Sequence, residues 1–306
     1  MAKSSQDISR FGAKSTIAEE DQSSTSVVLG RKALDFPLKV KSPSGDKARV
    51  ISIVNQKGGV GKTTTTINLG ASLAELGRRV LLIDFDSQAS MTSGLGINQV
   101  AIQEQYGSIW HLLNDLNEDV RGTILKTSVP GMDFIRGHYD LAGADSRFAS
   151  EIAKELMLRK ILAPIINEYD DILIDCSPSL GTLTVNALTA SDGVIIPMEC
   201  EFFAVLGLDL VTKTIEKIVA AINPHLEIYG ILATMFDRKT AHSKEVLGLI
   251  AGQFPALLLD TIIPRTVRFS ESTVKGLPIT TFASTSAAAN SYRRLARELI
   301  SRGGAN

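Results

Sequence analysis

Cysteine is scarce in this sequence, since only Cys176 and Cys200 occur among 306 residues. Two thiols cannot form the disulfide framework of a small secreted domain, and their separation does not match the spacing of a zinc site. We therefore expect two packed thiols in a protein of the reducing cytoplasm.

The chain also has no excess of charge of either sign. Lysine and arginine number 32 against 33 aspartates and glutamates, which gives a net charge of -1. No global electric field therefore draws the protein toward nucleic acid or an anionic membrane, and binding to either would need a local basic patch.

Long hydrophobic runs are absent as well. No stretch approaches the ~18 apolar residues that span a bilayer, and the N-terminal residues show no apolar core followed by a cleavage site. We expect a cytoplasmic protein without stable membrane association. Hydrophobic residues make up 44% of the chain and charged residues 21%, which is typical of a soluble globular protein rather than a disordered one.

Three segments of the chain differ in pattern. Residues 1–47 are rich in Ser, Lys, Asp and Gln without a helical or strand period, so we predict a flexible tail there. Within this tail, residues 27–29 and 34–40 leave open a short element or a stretch that docks on a partner. Residues 48–302 are predicted to form one folded domain, and residues 303–306 a short C-terminal tail.

Short runs rich in Val, Ile and Leu recur through this domain and alternate with stretches long enough for a helix. Runs that are apolar at nearly every position are typical of strands covered on both faces, so we predict an α/β fold with a mainly parallel twisted sheet flanked by helices on both faces. The predicted strands are residues 50–54, 80–85, 132–135, 171–175, 193–197, 228–234 and 259–263. The predicted helices are residues 62–76, 148–166, 180–189, 204–221, 243–253 and 291–301.

The last predicted helix is amphipathic and basic. Its apolar face carries Tyr292, Leu295, Ala296, Leu299 and Ile300, and its other faces carry Arg293, Arg294 and Arg297. Helices of this kind can bind membranes, but this apolar face is small and the chain closes with two glycines, alanine and asparagine. Packing of the helix on the core is therefore favoured.

A glycine-rich stretch, Lys57-Gly58-Gly59-Val60-Gly61-Lys62-Thr63-Thr64, separates the first predicted strand from the first predicted helix. A ring of backbone N–H groups that leads into a helix N-terminus binds the clustered oxygens of a nucleotide triphosphate, and glycines let the backbone come close. In this pattern Lys62 reaches the β and γ phosphates and the Thr63 hydroxyl binds Mg²⁺. Residues 57–64 are therefore predicted to bind ATP with Mg²⁺.

The loop departs from the generic pattern in two ways, because Gln56 stands where glycine is usual and Lys57 adds a second lysine. Asn55-Gln56-Lys57-Gly58-Gly59-Val60-Gly61-Lys62-Thr63-Thr64 closely resembles the deviant Walker A motif of the ParA family of chromosome and plasmid partition ATPases. Relatives of MinD type and the nitrogenase iron protein usually have glycine at position 56.

The resemblance to the ParA family covers about residues 49–302. It implies a homodimer that sandwiches ATP, in which Lys57 reaches the partner subunit's phosphates. Such a cation would accelerate hydrolysis as charge develops on the transferring phosphoryl group.

Two predicted strands end in carboxylates. Asp84 and Asp86 alternate at the end of residues 80–86, so both project from the carboxyl edge of the sheet, where ligands bind. The resemblance to the family's switch I implies that Asp86 orients the attacking water and helps order the Mg²⁺ shell, although Ser87 replaces the usual proline. Two strand-end carboxylates in solvent are the simpler alternative.

The strand at residues 171–175 resembles a Walker B strand. By this resemblance Asp175 binds Mg²⁺ through water, and the following Pro178 to Gly181 match the family's switch II, which moves when the γ phosphate leaves.

Three later segments extend the resemblance. Pro197-Met198-Glu199-Cys200-Glu201 is similar to the family's Pro-x-Gln-x-Glu segment, with Glu199 where glutamine is common. Residues 234–238 and 263–268 are similar to the segments that flank adenine, which implies base contacts from Met235 and Pro264. Ordinary strand-end packing stays equally open for both residues.

DNA binding would require basic residues to cluster. Arg238, Lys239, Arg265, Arg268 and Lys275 lie in the late region where ParA relatives carry their DNA-contacting residues. Of these, Arg238, Arg268 and Lys275 are the candidates for the site. Phosphate contacts of this kind are sequence-independent and salt-sensitive, and an ATP dimer would double the patch. Ordinary solvated side chains are the alternative.

These patterns predict a weak ATP hydrolase that dimerises with ATP, binds non-specific DNA in that state and drives chromosome or plasmid partition. A ParB-like partner would stimulate hydrolysis, and the ATP form would associate with the nucleoid. The catalytic residues would be Lys57, Lys62 and Asp86.

Three alternatives stay open: a MinD-like ATPase that acts on a membrane or a protein assembly, an iron-sulfur redox ATPase with exposed cysteines, and an adapter that signals by nucleotide occupancy without hydrolysis.

Overall fold

Eight strands form a single sheet. Their bounds are β1 Arg49–Ile53, β2 Val80–Phe85, β3 Ile124–Lys126, β4 Met132–Ile135, β5 Asp171–Cys176, β6 Gly193–Glu199, β7 Glu227–Phe236 and β8 Leu258–Pro264. The computed structural model describes residues 23–36, 47–97, 107–201 and 204–303. Across these residues the strand order is β3-β4-β2-β5-β1-β6-β7-β8, and β3 alone runs antiparallel to its neighbour.

The register brings the ends of the central strands together. Ile53 at the end of β1 pairs with Asp175 on β5 and with Ile195 on β6, and Asp84 on β2 pairs with Asp175 on its other side. Because these strands are parallel, the loops that follow them meet at one edge of the sheet. This edge places the glycine-rich loop next to both carboxylate-bearing strands.

Helices cover both faces of the sheet. Their bounds are α1 Thr25–Val28, α2 Lys62–Glu75, α3 Ser90–Gly94, α4 Ile109–Asn114, α5 Ala144–Arg147, α6 Met157–Leu162, α7 Thr182–Ala190, α8 Ala204–Ala221, α9 Ala241–Gln253, α10 Arg268–Val274, α11 Ile279–Phe282 and α12 Ala287–Gly303. Side chains alternate across each strand, so Ile51 packs in one core with α2 and α12, whereas Val50 packs in the other with α6 to α9. The predicted fold class is confirmed.

The strand predictions agree closely with the observed bounds, whereas one helix prediction is wrong. Residues 148–166 do not form a continuous helix: only α6 is α-helical, between short 3₁₀ turns. Ala153 has a left-handed backbone, with φ of 55°, and Pro164 lies in the 3₁₀ turn that follows α6. A left-handed residue and a proline both interrupt the helical hydrogen-bond ladder. The sequence pattern also missed β3, which has only three residues.

An N-terminal arm, residues 23–36, packs against β8. Ser24 forms an antiparallel bridge with Thr261, its hydroxyl donates to Asp260 Oδ2 at 2.9 Å, and the Ser26 amide donates to Asp260 Oδ1 at 2.9 Å. The expectation of a flexible tail is therefore wrong for these residues, because their polar groups pair with buried groups of the domain. Residues 1–22 and 37–46 of the predicted tail lie outside the described residues, as do 304–306 at the other end.

The C-terminal helix α12 packs on the core, as expected. Tyr292, Leu295 and Leu299 are buried against the sheet. The arginines of this helix are not all on its solvent side, since Arg294 is buried and pairs with the buried Asp260 at 2.5 Å. The buried Glu298 accepts hydrogen bonds from the Asp260 and Thr261 amides at 2.7 and 2.8 Å. These paired charges explain how a helix with polar residues on several faces can bury most of its surface.

Candidate active site and nucleotide pocket

The loop between β1 and α2 has the backbone of a phosphate cradle. Gly61 caps α2 with a left-handed φ of 88°, a conformation that costs an L-residue roughly 1 kcal/mol or more. Asn55 fixes the start of the loop, because its amide donates to the Pro197 carbonyl at 2.7 Å and its Oδ1 accepts from the Lys57 amide at 3.0 Å. The loop thus opens onto the N-terminus of a 14-residue helix, where anions bind favourably.

Lys62 lies inside this loop. Its side chain is buried, and Nζ donates to the Lys57 carbonyl oxygen at 3.3 Å. Burial lowers the pKa of Lys62, while the negative charges of Asp175 and Asp86 act against that shift. A cation held in a partly desolvated loop is well placed to bind phosphate oxygens.

Thr63 and Asp175 meet at the floor of the loop. The Thr63 hydroxyl donates to Asp175 Oδ2 at 2.6 Å. Burial raises the pKa of Asp175 well above its ordinary value, and the nearby Asp84 raises it further. Asp175 Oδ1 is buried without a hydrogen-bond partner among the described residues. A hydroxyl beside an unsatisfied carboxylate oxygen is a donor set that fits Mg²⁺, with phosphate and water completing the coordination.

The two carboxylates at the end of β2 have different surroundings. Asp86 follows the strand, and its Oδ1 accepts from the Gln88 amide at 3.1 Å. Asp84 does not project from the sheet edge as expected; it is fully buried, and its Oδ2 accepts from the amide and hydroxyl of Thr92 at 2.8 and 2.7 Å. Burial raises the pKa of Asp84 to about 6. Asp84 therefore fastens α3 to the sheet, and Asp86 is the carboxylate left near the loop.

A cavity of about 220 Å³ adjoins the loop and brings together residues predicted to bind nucleotide. Gly61, Thr64, Met235 and Pro264 all line it. Phe269 and Tyr292 line it too, with ring centroids 5.8 Å apart. The cavity has the apolar and aromatic surface that suits a nucleobase beside a phosphate loop. Sequence patterns did not indicate the two aromatic residues, because Tyr292 reads as part of an ordinary apolar helix face.

Thr234 connects this cavity to the loop. Its hydroxyl donates to the Val60 carbonyl at 2.8 Å, and the residue itself lines the cavity. The next residue, Met235, has a left-handed backbone with φ of 50°, and the pairing of β7 with β8 shifts register between Ala233 and Phe236.

Lys57 points away from its own loop toward a carboxylate pair. Its Nζ lies 3.0 Å from Glu199 Oε2 and 2.8 Å from Glu201 Oε2. The hydrogen bonds from Lys57 to Glu201 and then to Glu199 raise the pKa of the lysine, so it stays charged. Glu199 also accepts from Arg265 at 2.8 Å. The sequence alone gave no reason to connect these four residues.

A family model described as an AAA domain matches residues 48–228. The chain is 42% identical over 256 residues to the chromosome-partitioning ATPase Soj of Treponema pallidum, with 84% of this chain and 98% of Soj covered. The chain belongs to the ParA/Soj family of P-loop ATPases. It is an ATP hydrolase of that family.

Two further similarities place this ParA/Soj-family chain among its relatives. It is 46% identical over 277 residues to an uncharacterized protein of Mycobacterium tuberculosis H37Rv, with 90% of this chain and 86% of that protein covered. This match is longer than the chain after residue 47, so it includes part of the N-terminal arm. The structure of cobyrinic acid a,c-diamide synthase from Mycobacterium smegmatis with bound ADP and magnesium superposes with a TM-score of 0.73 at 35% identity, covering 84% of this chain and 96% of that one.

The basic residues of this ParA/Soj-family ATPase are exposed near the same edge of the sheet. Arg238 follows β7, and Arg268 and Lys275 lie at the two ends of α10, which follows β8. Arg268 pairs with Glu271 at 3.1 Å, an exposed contact of little strength. All three side chains therefore face solvent and are accessible to a large anion.

The N-terminus of α7 contacts α5 in this ParA/Soj-family chain, a feature that no sequence pattern indicated. Asp145 accepts a hydrogen bond from the Thr182 amide at 2.7 Å, at the first turn of α7. This hydrogen bond lowers the pKa of Asp145. A negative charge at a helix N-terminus is stabilising, so Asp145 holds the start of α7 in this position.

Two features of the ParA/Soj-family chain bear on the alternatives to DNA partition. Cys176 and Cys200 are both buried, and burial raises the pKa of the Cys200 thiol to about 12. Neither thiol has the exposure that a cluster shared between two subunits would need. Within the described residues, no helix combines the length and the apolar character needed to cross a membrane.

Proposed function

We propose that this chain is an ATP-driven dimerising switch that binds DNA non-specifically in its ATP state and drives chromosome or plasmid partition. Hydrolysis, stimulated by a ParB-like partner, returns the protein to monomers that release DNA. The name of the Treponema relative, a chromosome-partitioning ATPase, supports this role. The ADP and magnesium bound to the Mycobacterium smegmatis protein support ATP with Mg²⁺ as the ligand.

The observation that carries the proposal is the placement of Lys57. Lys62 already lies inside the loop, where it can bind phosphate, whereas Lys57 turns outward and is 45% exposed. A second lysine on the outer side of a phosphate loop is not needed by its own subunit to bind phosphate, and once it leaves Glu199 and Glu201 it can reach the nucleotide of a second copy. There it would stabilise charge on the transferring phosphoryl group.

The roles of the other groups follow from their positions. Thr63 and Asp175 would hold Mg²⁺, and Asp86 would orient the attacking water. Met235 and Pro264 would contact the base. Dimerisation would place two copies of Arg238, Arg268 and Lys275 on one particle, and paired weak sites bind a long polyanion far more tightly than one.

The ATP-dependent dimer is the test of this proposal. Light scattering after size exclusion should give a monomer with ADP and a dimer with a non-hydrolysable ATP analogue. Lys57→Ala should bind ADP like the parent but stay monomeric with the analogue. A parent that remains monomeric with the analogue would falsify the proposal.

DNA retention is tested on the same samples. The parent with the ATP analogue should bind random-sequence duplex DNA at low salt and lose it steeply as salt rises. Retention that is equal with ADP and with the analogue would contradict a nucleotide-controlled switch. Sedimentation with anionic vesicles in place of DNA would instead support the positioning ATPase of MinD type.

A further inference from the structure

Glu199 contacts two cations at once. Its Oε2 accepts from Lys57 Nζ at 3.0 Å, and its Oε1 accepts from Arg265 at 2.8 Å. Glu201 contacts Lys57 as well, at 2.8 Å, and Arg265 acts on it electrostatically but donates its hydrogen bond to Glu199. The two carboxylates therefore share one lysine, and Glu199 is the one that links this lysine to Arg265 by direct hydrogen bonds.

The two carboxylates differ in how firmly they are held. Glu199 is the last residue of β6, pairs with Thr234 of β7, and has a side chain only 14% exposed. Glu201 lies beyond the strand and its side chain is 50% exposed. An ion pair that is partly shielded from water and anchored on a strand is less screened and loses less side-chain entropy than an exposed one. Glu199 is thus the fixed member of the pair.

Glu199 is also coupled to the nucleotide cavity. Arg265, its second partner, lines the cavity, and so does Thr234, its strand neighbour. A nucleotide that enters the cavity meets the arginine that Glu199 holds. When Lys57 leaves Glu199, Arg265 remains beside the carboxylate, so the charge of Glu199 is not left uncompensated.

We propose that Glu199 is a positioning residue: together with Glu201 it holds Lys57 over its own subunit until nucleotide binds, and through Arg265 it links that hold to the base cavity. This inference rests on the proposed function, in which Lys57 acts on the partner's phosphates. A carboxylate at this position forms a charge-assisted hydrogen bond with Lys57 that an amide cannot match. Lys57 must then break two ion pairs before it can reach across the dimer.

Glu199→Gln and Glu201→Gln form a matched pair of variants for the test. Each removes one charge and keeps the size of the side chain. The first measurement is acylation of Lys57 in the nucleotide-free protein, followed by peptide mass spectrometry. Lys57 should react faster in both variants than in the parent, because each carboxylate raises the pKa of this lysine.

The second measurement is the concentration of the ATP analogue that gives half-maximal dimer. Each variant should lower this concentration by roughly 1.5- to 5-fold, the range expected for releasing one partly exposed ion pair.

The third measurement is the affinity of the monomer for ADP. This affinity should tighten only in Glu199→Gln, because only this change frees Arg265 to meet the nucleotide. Damage to the fold would weaken binding, so a lower analogue concentration for dimerisation together with a tighter ADP affinity in Glu199→Gln separates positioning from a structural role.

The role of Glu199 and the proposed function are overturned by different results. Unchanged acylation of Lys57 in Glu199→Gln, or an unchanged or higher analogue concentration for dimerisation, would overturn the role of Glu199. The same change in ADP affinity for both variants would overturn the link through Arg265. A parent that never dimerises would overturn the proposed function, and the acylation measurement would still decide whether Glu199 holds Lys57.

Discussion

Thr63 donates its hydroxyl hydrogen bond to Asp175 across 2.6 Å, which joins the first turn of α2 to the end of β5. The two residues are far apart in the chain, and the parallel pairing of β5 with β1 brings them together. A hydroxyl that already contacts a buried carboxylate needs little rearrangement to share a hydrated cation with it.

Lys62→Ala should lower the affinity for ADP by about 10- to 150-fold, because a charge-assisted contact to phosphate contributes about 1.5–3 kcal/mol. Isothermal titration calorimetry with Mg²⁺ checks this. Lys57→Ala is the matched control, since it removes a lysine from the same loop but from its outer side. Equal losses in the two variants would contradict the division of roles between them.

Asp86→Ala should retain ATP and accumulate as a dimer, because in the proposed function this change removes the residue that orients the attacking water and keeps the groups that bind phosphate. Phosphate release measures hydrolysis, and light scattering measures the dimer. Turnover equal to that of the parent would remove Asp86 from the catalytic site.

Arg268→Glu should weaken DNA binding without loss of ATP binding. Each phosphate contact that is lost should reduce the slope of log affinity against log salt by about 1. Lys160→Glu is the control, since this exposed lysine on α6 undergoes the same change of charge on another part of the surface. DNA retention at low salt that is the same for both variants would take Arg268 out of the patch.

Asp260→Ala should destabilise the fold by about 3–5 kcal/mol, because it leaves the buried Arg294 without its carboxylate partner. The arm would lose the acceptor of its Ser24 and Ser26 hydrogen bonds at the same time. Urea denaturation measures the change. Asp209→Ala, which breaks an exposed pair with Lys213, should leave the free energy of unfolding nearly unchanged.

The same carboxylate predicts a dependence on pH. Burial acts to raise the pKa of Asp260, but hydrogen bonds from Ser26, Arg294 and Ser24 outweigh it and hold the pKa below its ordinary value. A lowered pKa in the folded state means that Asp260 stabilises the fold above the ordinary pKa of aspartate, near 4, and that this contribution disappears as pH falls through the lower, folded value. The difference in unfolding free energy between the parent and Asp260→Asn should therefore be constant near neutral pH and shrink below about pH 4. A difference that grows toward acid pH would contradict this assignment.

The fold was predictable because buried parallel strands carry an unmistakable apolar pattern. The phosphate loop was predictable because its chemistry needs specific residues at fixed spacing, and the roles assigned to its residues stay predictions. The cavity beside the loop was predictable only in part: Met235 and Pro264 come directly after predicted strands, whereas Tyr292 joins them from a helix more than 200 residues beyond the loop. Tertiary packing brings these distant residues together, and no local sequence pattern indicates it.

The arm and the buried charges were not predictable for a different reason. Ser23 to Ser26 look like a solvated polar stretch, because their partners, chiefly Asp260, lie far away in the sequence. Arg294 and Glu298 likewise look like solvent-facing residues of a helix until their partners on β8 are known. Polar groups that satisfy each other across the fold leave no hydrophobic period to detect.

Ser23 Oγ lies 2.7 Å from Ser291 Oγ, although 268 residues separate them. During synthesis the arm leaves the ribosome well before β8 and α12, which receive it. The arm can therefore dock only after both of these elements have been translated. Translation of α12, rather than of the phosphate loop, sets the moment at which the arm finds its partners.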